Sequence, residues 1–328
     1  MPAILTHDFF GKDMLDANPG LIGDSAEERR AFLLGNQGPD PLFYLRISPG
    51  TREFHNLGGI MHAQAPSKII AAMAQSLQVL EPSELGVGRA YAAGFMCHYT
   101  LDRAMHPFVY THEYAICDAG VPGLTRQDAS RVHAEIEREL DEAILFNKTC
   151  ATVATYRPYA QVLQAADTTL DTIGKMYAYV SMVSLRVFAP RTLFGQAVKC
   201  FRIVQRFFYS PDDALQEAVN GIETKVLKKH FSLYKSMSHR DRPTACSDFD
   251  NRGHQTWINP FTQQAATTSF WDIYHDAQIQ AAGNIRQMLQ VGFDLTQARE
   301  LTQGQNFGGE QVEFVEASCP RYISCPAS

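Results

Sequence analysis

The sequence has no Cys-x-x-Cys pair: its seven cysteines are scattered singly and their number is odd. That pattern signals neither a disulfide framework nor a thiolate metal cluster. Cys319 and Cys325 can pair in an oxidising compartment, but two free thiols are the simpler expectation. Long apolar runs are also missing. The stretch Tyr177–Val187 is too short to span a bilayer and carries Ser181, Ser184 and Arg186. The opening Met-Pro-Ala-Ile-Leu-Thr-His-Asp lacks the basic segment and apolar stretch of a secretory leader, so a cytoplasmic location is expected. Positive charge is not in excess: 29 basic and 35 acidic residues leave −6. That argues against a partner in duplex nucleic acid, which calls for a Lys- and Arg-coated surface.

Alternating strand patterns are scarce as well, and what remains reads as helix. With 45% hydrophobic residues the chain has ample apolar surface for a core. Ala26–Leu34 is a short amphipathic helix after Asp24-Ser25. Pro66–Leu80 opens with proline at the helix-first position, where its missing N–H costs least. Leu85–His106 is long and mostly apolar, and Pro107 is expected to end it by biasing His106 away from helical geometry. Thr125-Arg-Gln-Asp128 resembles a capping box and opens a helix to about Phe146. Thr168–Val187, Pro190–Tyr209, Pro211–Ser236 and Ser269–Val291 follow as helices, with a polar loop over His239–Gln264. From about Gln303 the chain reads as irregular, with room for one short strand. No repeat, linker or composition shift marks a boundary. The expectation is an all-α, multi-helix bundle forming a single domain over 1–328, with an irregular tail from about 303.

Two segments carry chemistry. On an α-helix, residues four apart lie on one face, one turn along. His98, Asp102 and His106 therefore form a stripe of imidazole, carboxylate and imidazole in an apolar setting. An ionised carboxylate is expensive to bury there unless a cation pairs with it. Imidazole and carboxylate together suit zinc. His133, Glu137 and Asp141 repeat the spacing, and two such helices facing each other can enclose more than one ion. Upstream candidates are His7, Asp40 in a Gly/Pro turn, and His55 and His62 on a loop. Five histidines precede residue 110, which favours a site assembled in the first half. Glu135, Glu139 and Glu142 read as a solvated face. His230, His239, His254 and His275 read as structural or surface groups, and His55, His112 and Asp141 stay unassigned.

Thr6-His7, GNQGPDP (35–41), LGGIMH (57–62), HYTLDRAMHP (98–107) and HAEIE (133–137) occur in the order found in the zinc-dependent phospholipase C family, which is related to the S1/P1 nucleases. The chain resembles that family's uncharacterised bacterial branch. The resemblance implies an all-α fold with two or three zinc ions. His62, His98 and Asp102 match the ligands of one, and His106, His133 and Glu137 those of a second. His7, with Asp102 as a bridge, matches the third, and Asp40 matches an aspartate that binds metal or acts as general base. Two departures stand out. The chain begins Met1-Pro2 where the secreted enzymes ligate the third zinc through an N-terminal Trp, and His106 precedes Pro107 where their third histidine follows the proline.

The function so implied is hydrolysis of phosphodiester bonds, with a phospholipid the substrate inherited from the family. A single-strand nuclease or a phosphomonoesterase can use the same metals, and a non-catalytic zinc-binding helical protein is the rival outside catalysis. Arg103 is a weak candidate for holding phosphate. In Leu193–Phe208, Phe194, Val198, Phe201 and Phe208 can share one face opposite Lys199, Arg202 and Arg206. Such a face can touch a membrane surface transiently, but more often it packs on a core.

Overall fold

The computed structural model describes residues 4–120, 122, 124–208 and 239–313. The expected helix Pro211–Ser236, His230, the Phe208 side chain and the Cys319/Cys325 pair lie outside the described residues. Within them the chain forms an all-α bundle. Its helices are α1 (Ile4–Ala17), α2 (Ala26–Gly35), α3 (Leu57–Ala63), α4 (Pro66–Gln75), α5 (Leu85–Cys117) and α6 (Ala129–Thr149). They continue with α7 (Val153–Tyr156), α8 (Pro158–Gln161), α9 (Asp167–Leu185), α10 (Leu193–Phe208), α11 (Phe270–Met288) and α12 (Leu295–Thr302). A 3-10 helix spans Asp40–Ile47. The only strands among the described residues are β1 (Trp257–Ile258) and β2 (Ala265–Ala266), paired antiparallel. No described helix is long and apolar enough to cross a membrane.

The 33-residue α5 is the organising element, contacting α1, α2, α6, α9 and α11. It does not stop at His106 but runs through Pro107 to Cys117. The sequence expectation fails there because burial of the neighbouring side chains outweighs proline's local penalty. A proline inside a helix costs about 3 kcal/mol. On either side of it Met105, Phe108 and Val109 are buried, each gaining about 1.5–3 kcal/mol from leaving water. Packing therefore carries the helix past the break.

α2 lies directly on α5. A Cβ at Gly94 would meet the Phe32 carbonyl oxygen at 2.1 Å, and one at Gly35 would meet that of Tyr91 at 2.4 Å. Only hydrogen fits at both positions, so the two backbones touch and the turn after α2 is delivered beside His98. α6 follows the capping box expected at Thr125, whose Asp128 side chain returns to the Thr125 N–H. α11 opens with a second box at Ser269 and Asp272.

α1 gave no periodic signal. Ile4, Leu5, Thr6, His7, Asp8, Phe9, Phe10 and Gly11 are all buried in sequence, so the helix has no polar face from which to read a 3.6-residue period. His62, expected on a loop, sits in the last turn of α3. α10 takes the core reading: Phe194, Val198 and Phe201 are buried, and Phe201 stacks on Tyr44. The tail after Gln303 is irregular but packed. Its expected strand is a single antiparallel bridge between Gln305 and Gln311. The Phe307 N–H donates to the His62 carbonyl at 3.2 Å, and the Tyr99 hydroxyl donates to the Gln305 carbonyl at 2.7 Å.

Candidate metal centre

Five elements converge on one buried pocket: α1 brings His7, the turn after α2 brings Asp40, α3 brings His62, α5 brings His98, Asp102 and His106, and α6 brings His133 and Glu137. Three groups of potential ligand atoms, each within 4.8 Å of one another, result: His7/Asp40/His98, His62/His98/Asp102 and His106/His133/Glu137. Asp102 is the hub. Its Oδ1 lies 3.1 Å from His7 Nε2 and its Oδ2 3.2 Å from His98 Nε2. His62 Nε2 is 3.0 Å from Asp40 Oδ1, and His133 Nε2 is 3.1 Å from Glu137 Oε1. His106 Nε2, at 3.6 Å from the same Glu137 oxygen, joins α5 to α6.

The other nitrogen of four imidazoles is tied down behind the pocket. His62 Nδ1 lies 2.8 Å from the Gly58 carbonyl and His98 Nδ1 3.1 Å from that of Asn36. His106 Nδ1 lies 3.0 Å from the carbonyls of both Asp102 and Phe307. A carbonyl oxygen can only accept, so each Nδ1 carries the proton and each Nε2 is left with its lone pair facing the pocket. His133 Nδ1 donates instead to Glu113 Oε2 at 2.9 Å. Anchoring of this kind fixes tautomer and ring orientation in metal-bound histidines. Gly38 completes the frame: at φ +49° it sits against the His98 ring, where an added Cβ would come within 2.2 Å of Cδ2. Its carbonyl accepts from the Tyr177 hydroxyl at 2.9 Å.

Charge in the pocket is high for its burial. Asp40, Asp102, Glu113 and Glu137 are all buried. Burial pushes the Asp102 carboxyl up, but the imidazoles of His98, His106 and His7 outweigh it and hold it well below the usual carboxylate range. Glu137 is likewise pushed up by burial and pulled down further by His133 and His106. Burial works against a charge on His133, yet Glu137 and Glu113 raise it to about 10. His7 and His106 are raised for the same reason, whereas burial wins at His98 and lowers it. Without a cation, His133 is the imidazole most strongly held in its charged form by these carboxylates.

The residues fit metal ions. His62 Nε2, His98 Nε2, Asp40 Oδ1, Asp102 Oδ2, Glu137 Oε2 and His7 Nδ1 are buried with no aligned hydrogen-bond partner. Four of them crowd together, with His62 Nε2 and His98 Nε2 each within 3.9 Å of both Asp40 Oδ1 and Asp102 Oδ2. A cavity of about 30 Å³ lies among His7, Asp102, His106 and Glu137, and a wider one of about 250 Å³ opens over His62, His106 and His133. The clusters can therefore bind metal ions and form a multinuclear site.

Several expectations are corrected. Asp141 faces away from the metal groups: it accepts from the N–H groups of Leu5 and Thr6 and from the Thr6 hydroxyl, and lies 3.2 Å from His239 Nε2. It caps the first turn of α1, which sets His7. Glu142 is not solvated but buried against Arg138 and Arg240, and Glu139 is half-buried on Arg240 and Arg242. Arg103 is not at the pocket: it donates to the carbonyls of Leu301 and Thr302, capping the negative end of α12. His112 packs edge-on against Phe108 and Phe249, and His55 lines a separate cavity with Arg46. Glu113 and Phe307 were missed. The offset of Glu113 from His106 is seven residues, two helical turns on the same face, which was the available signal; a backbone carbonyl such as that of Phe307 leaves none. Set against protein-family models, curated proteins and solved structures, the chain matches none of them.

Proposed function

We propose that the chain is a zinc-dependent hydrolase of phosphoric esters, cleaving phosphodiester bonds in the manner of a phospholipase C. The observation that carries this reading is the meeting of three buried His/Asp/Glu groups with an open cavity of about 250 Å³. A purely structural site would be closed on all sides. His62, His98 and Asp102 would hold one ion, His106, His133 and Glu137 a second, and His7 with Asp102 and Asp40 a third. Bound there, such ions lower the pKa of water toward about 7 and offset charge on phosphoryl oxygens. Asp40 has the residue-level task of orienting the attacking water or taking its proton. One of its oxygens faces His62, 14% exposed at its side chain, the most open of the ligand imidazoles facing it.

A single-strand nuclease is the second reading, favoured by the rings of Phe43, Tyr110 and Phe261 around the same cavity. Aromatic faces stack bases without regard to sequence. Phospholipid cleavage requires transient contact with a membrane surface, whereas nucleotide cleavage does not. Parallel turnover of lecithin vesicles and single-stranded DNA by the zinc-loaded protein separates the two. Asp102→Ala, which removes the hub, is expected to abolish both metal-dependent activities. Full hydrolysis with full metal content in that variant would refute the assignment.

A further inference from the structure

A second cavity, of about 280 Å³, adjoins the one over the metal groups and shares Phe43 and Ala63 with it. The linking chain is short. His62 faces the metal groups and Gln64 lines the second cavity, so their Cα atoms are at most about 7.6 Å apart. The two cavities differ in charge. Among the described residues the first has Glu310 and no Lys or Arg in its wall. The second has Arg46, together with His55, Asn56 and Gln64.

Arg46 is exposed and makes no ion pair with any described residue. The His55 ring lines the same wall. A guanidinium with no ion-paired carboxylate among the described residues, beside an imidazole and two side-chain amides, offers donors in excess of acceptors. Such a set matches a phosphate or similar oxyanion, which only accepts and which a guanidinium binds through two parallel N–H groups.

We propose that this cavity is a subsite for a second anionic group of the substrate, a phosphate carried on the alcohol arm of the ester whose phosphodiester sits over the metals. The proposal rests on the hydrolase reading and narrows its substrate class to molecules bearing two phosphates a few bonds apart. Phe43 separates the two groups and supplies an apolar wall for the atoms between them. Glu310 in the wall of the first cavity disfavours a second anion there.

The test uses two 4-nitrophenyl phosphodiesters whose alcohol arms end in a hydroxyl or in a phosphate. With zinc-loaded protein, kcat/KM is expected to favour the phosphate-ended ester by about tenfold, the gain of one charge-assisted contact at an exposed arginine. In Arg46→Glu the ratio should fall to one or below, and in His55→Ala to an intermediate value. An unchanged preference in Arg46→Glu overturns the proposal. If neither ester is turned over, the hydrolase reading fails by itself and the subsite is judged separately. Inorganic phosphate is then titrated into the metal-free protein by calorimetry. Saturable binding that Arg46→Glu removes supports the subsite, and binding that is absent or insensitive to the substitution overturns it.

Discussion

Glu113→Gln isolates what one carboxylate does for metal binding. Glu113 is buried, and its Oε2 accepts from His133 Nδ1 at 2.9 Å. Glutamine keeps the shape and an accepting oxygen but drops the charge. A hydrogen bond to a charged group contributes about 1.5–3 kcal/mol and a neutral one about 0.5–1.5. The difference, about 1–1.5 kcal/mol, is about tenfold in affinity, the low end of the 10–100-fold range typical when a ligand's outer partner is changed. The loss should fall on the ion held by His106, His133 and Glu137, because no other cluster contains His133. Zinc titration at neutral pH against a competing chelator resolves the classes of site. One class weakened about tenfold, with the rest unmoved, is the expected result. Affinities all within twofold of the parent, or a loss spread evenly over every class, would refute the reasoning.

Protons provide a second check. His133, raised to about 10, is charged at neutral pH without metal, so zinc must displace its proton. Calorimetry in buffers of different ionisation enthalpy should show proton release, and none at pH 7 would contradict the electrostatics. The sign for stability follows: a pKa raised in the fold stabilises fully below the unfolded value near 6.5 and is lost as pH rises through about 10. The metal-free Tm should thus decline over that window, while the zinc-loaded Tm should not follow it. Gly38→Ala forces a left-handed residue and a Cβ onto the His98 ring. A stability loss of about 1–3 kcal/mol with reduced zinc content is expected from denaturant titration and metal analysis, and a stable, fully loaded variant would contradict it. Asp141→Ala strips α1 of its buried cap. Loss of the cap together with orphaned donors should cost about 2–4 kcal/mol; an unchanged urea midpoint would show that α1 is held by other contacts.

How far the fold was legible depended on where each element's polar face lies. α6 has a capping box and one apolar stripe, and both were readable. The first two turns of α1 are buried all round and left no period to find. The overrun of α5 past Pro107 was illegible because its cause is distant: Met105, Phe108 and Val109 are buried by other elements. At the site, spacing alone placed His98, Asp102 and His106 on one stripe, and His133 with Glu137. The same spacing left Asp141 unassigned: it lies one turn further along the helix, where it meets Leu5 and Thr6. His7, Asp40 and His62 were legible only as candidates, and their places in the ligand sets came from the resemblance, since nothing local says which elements a turn or helix end will face.

The anchoring of the imidazoles has a consequence for how this centre tolerates mutation. Behind His62, His98 and His106 stand main-chain oxygens, those of Gly58, Asn36, Asp102 and Phe307. No amino-acid replacement deletes a peptide carbonyl, so these hydrogen bonds survive substitution wherever the backbone path is kept, although the side chains at the same positions have tasks of their own: Asp102 is the hub, and Phe307 is buried against the rings of His62 and His98. Glu113 is the exception, a support encoded in a single codon. Glu113 is thus the support whose contact with a ligand imidazole a single side-chain change removes directly, whereas changes at 36, 58 or 307 reach the imidazole hydrogen bonds only by moving the backbone.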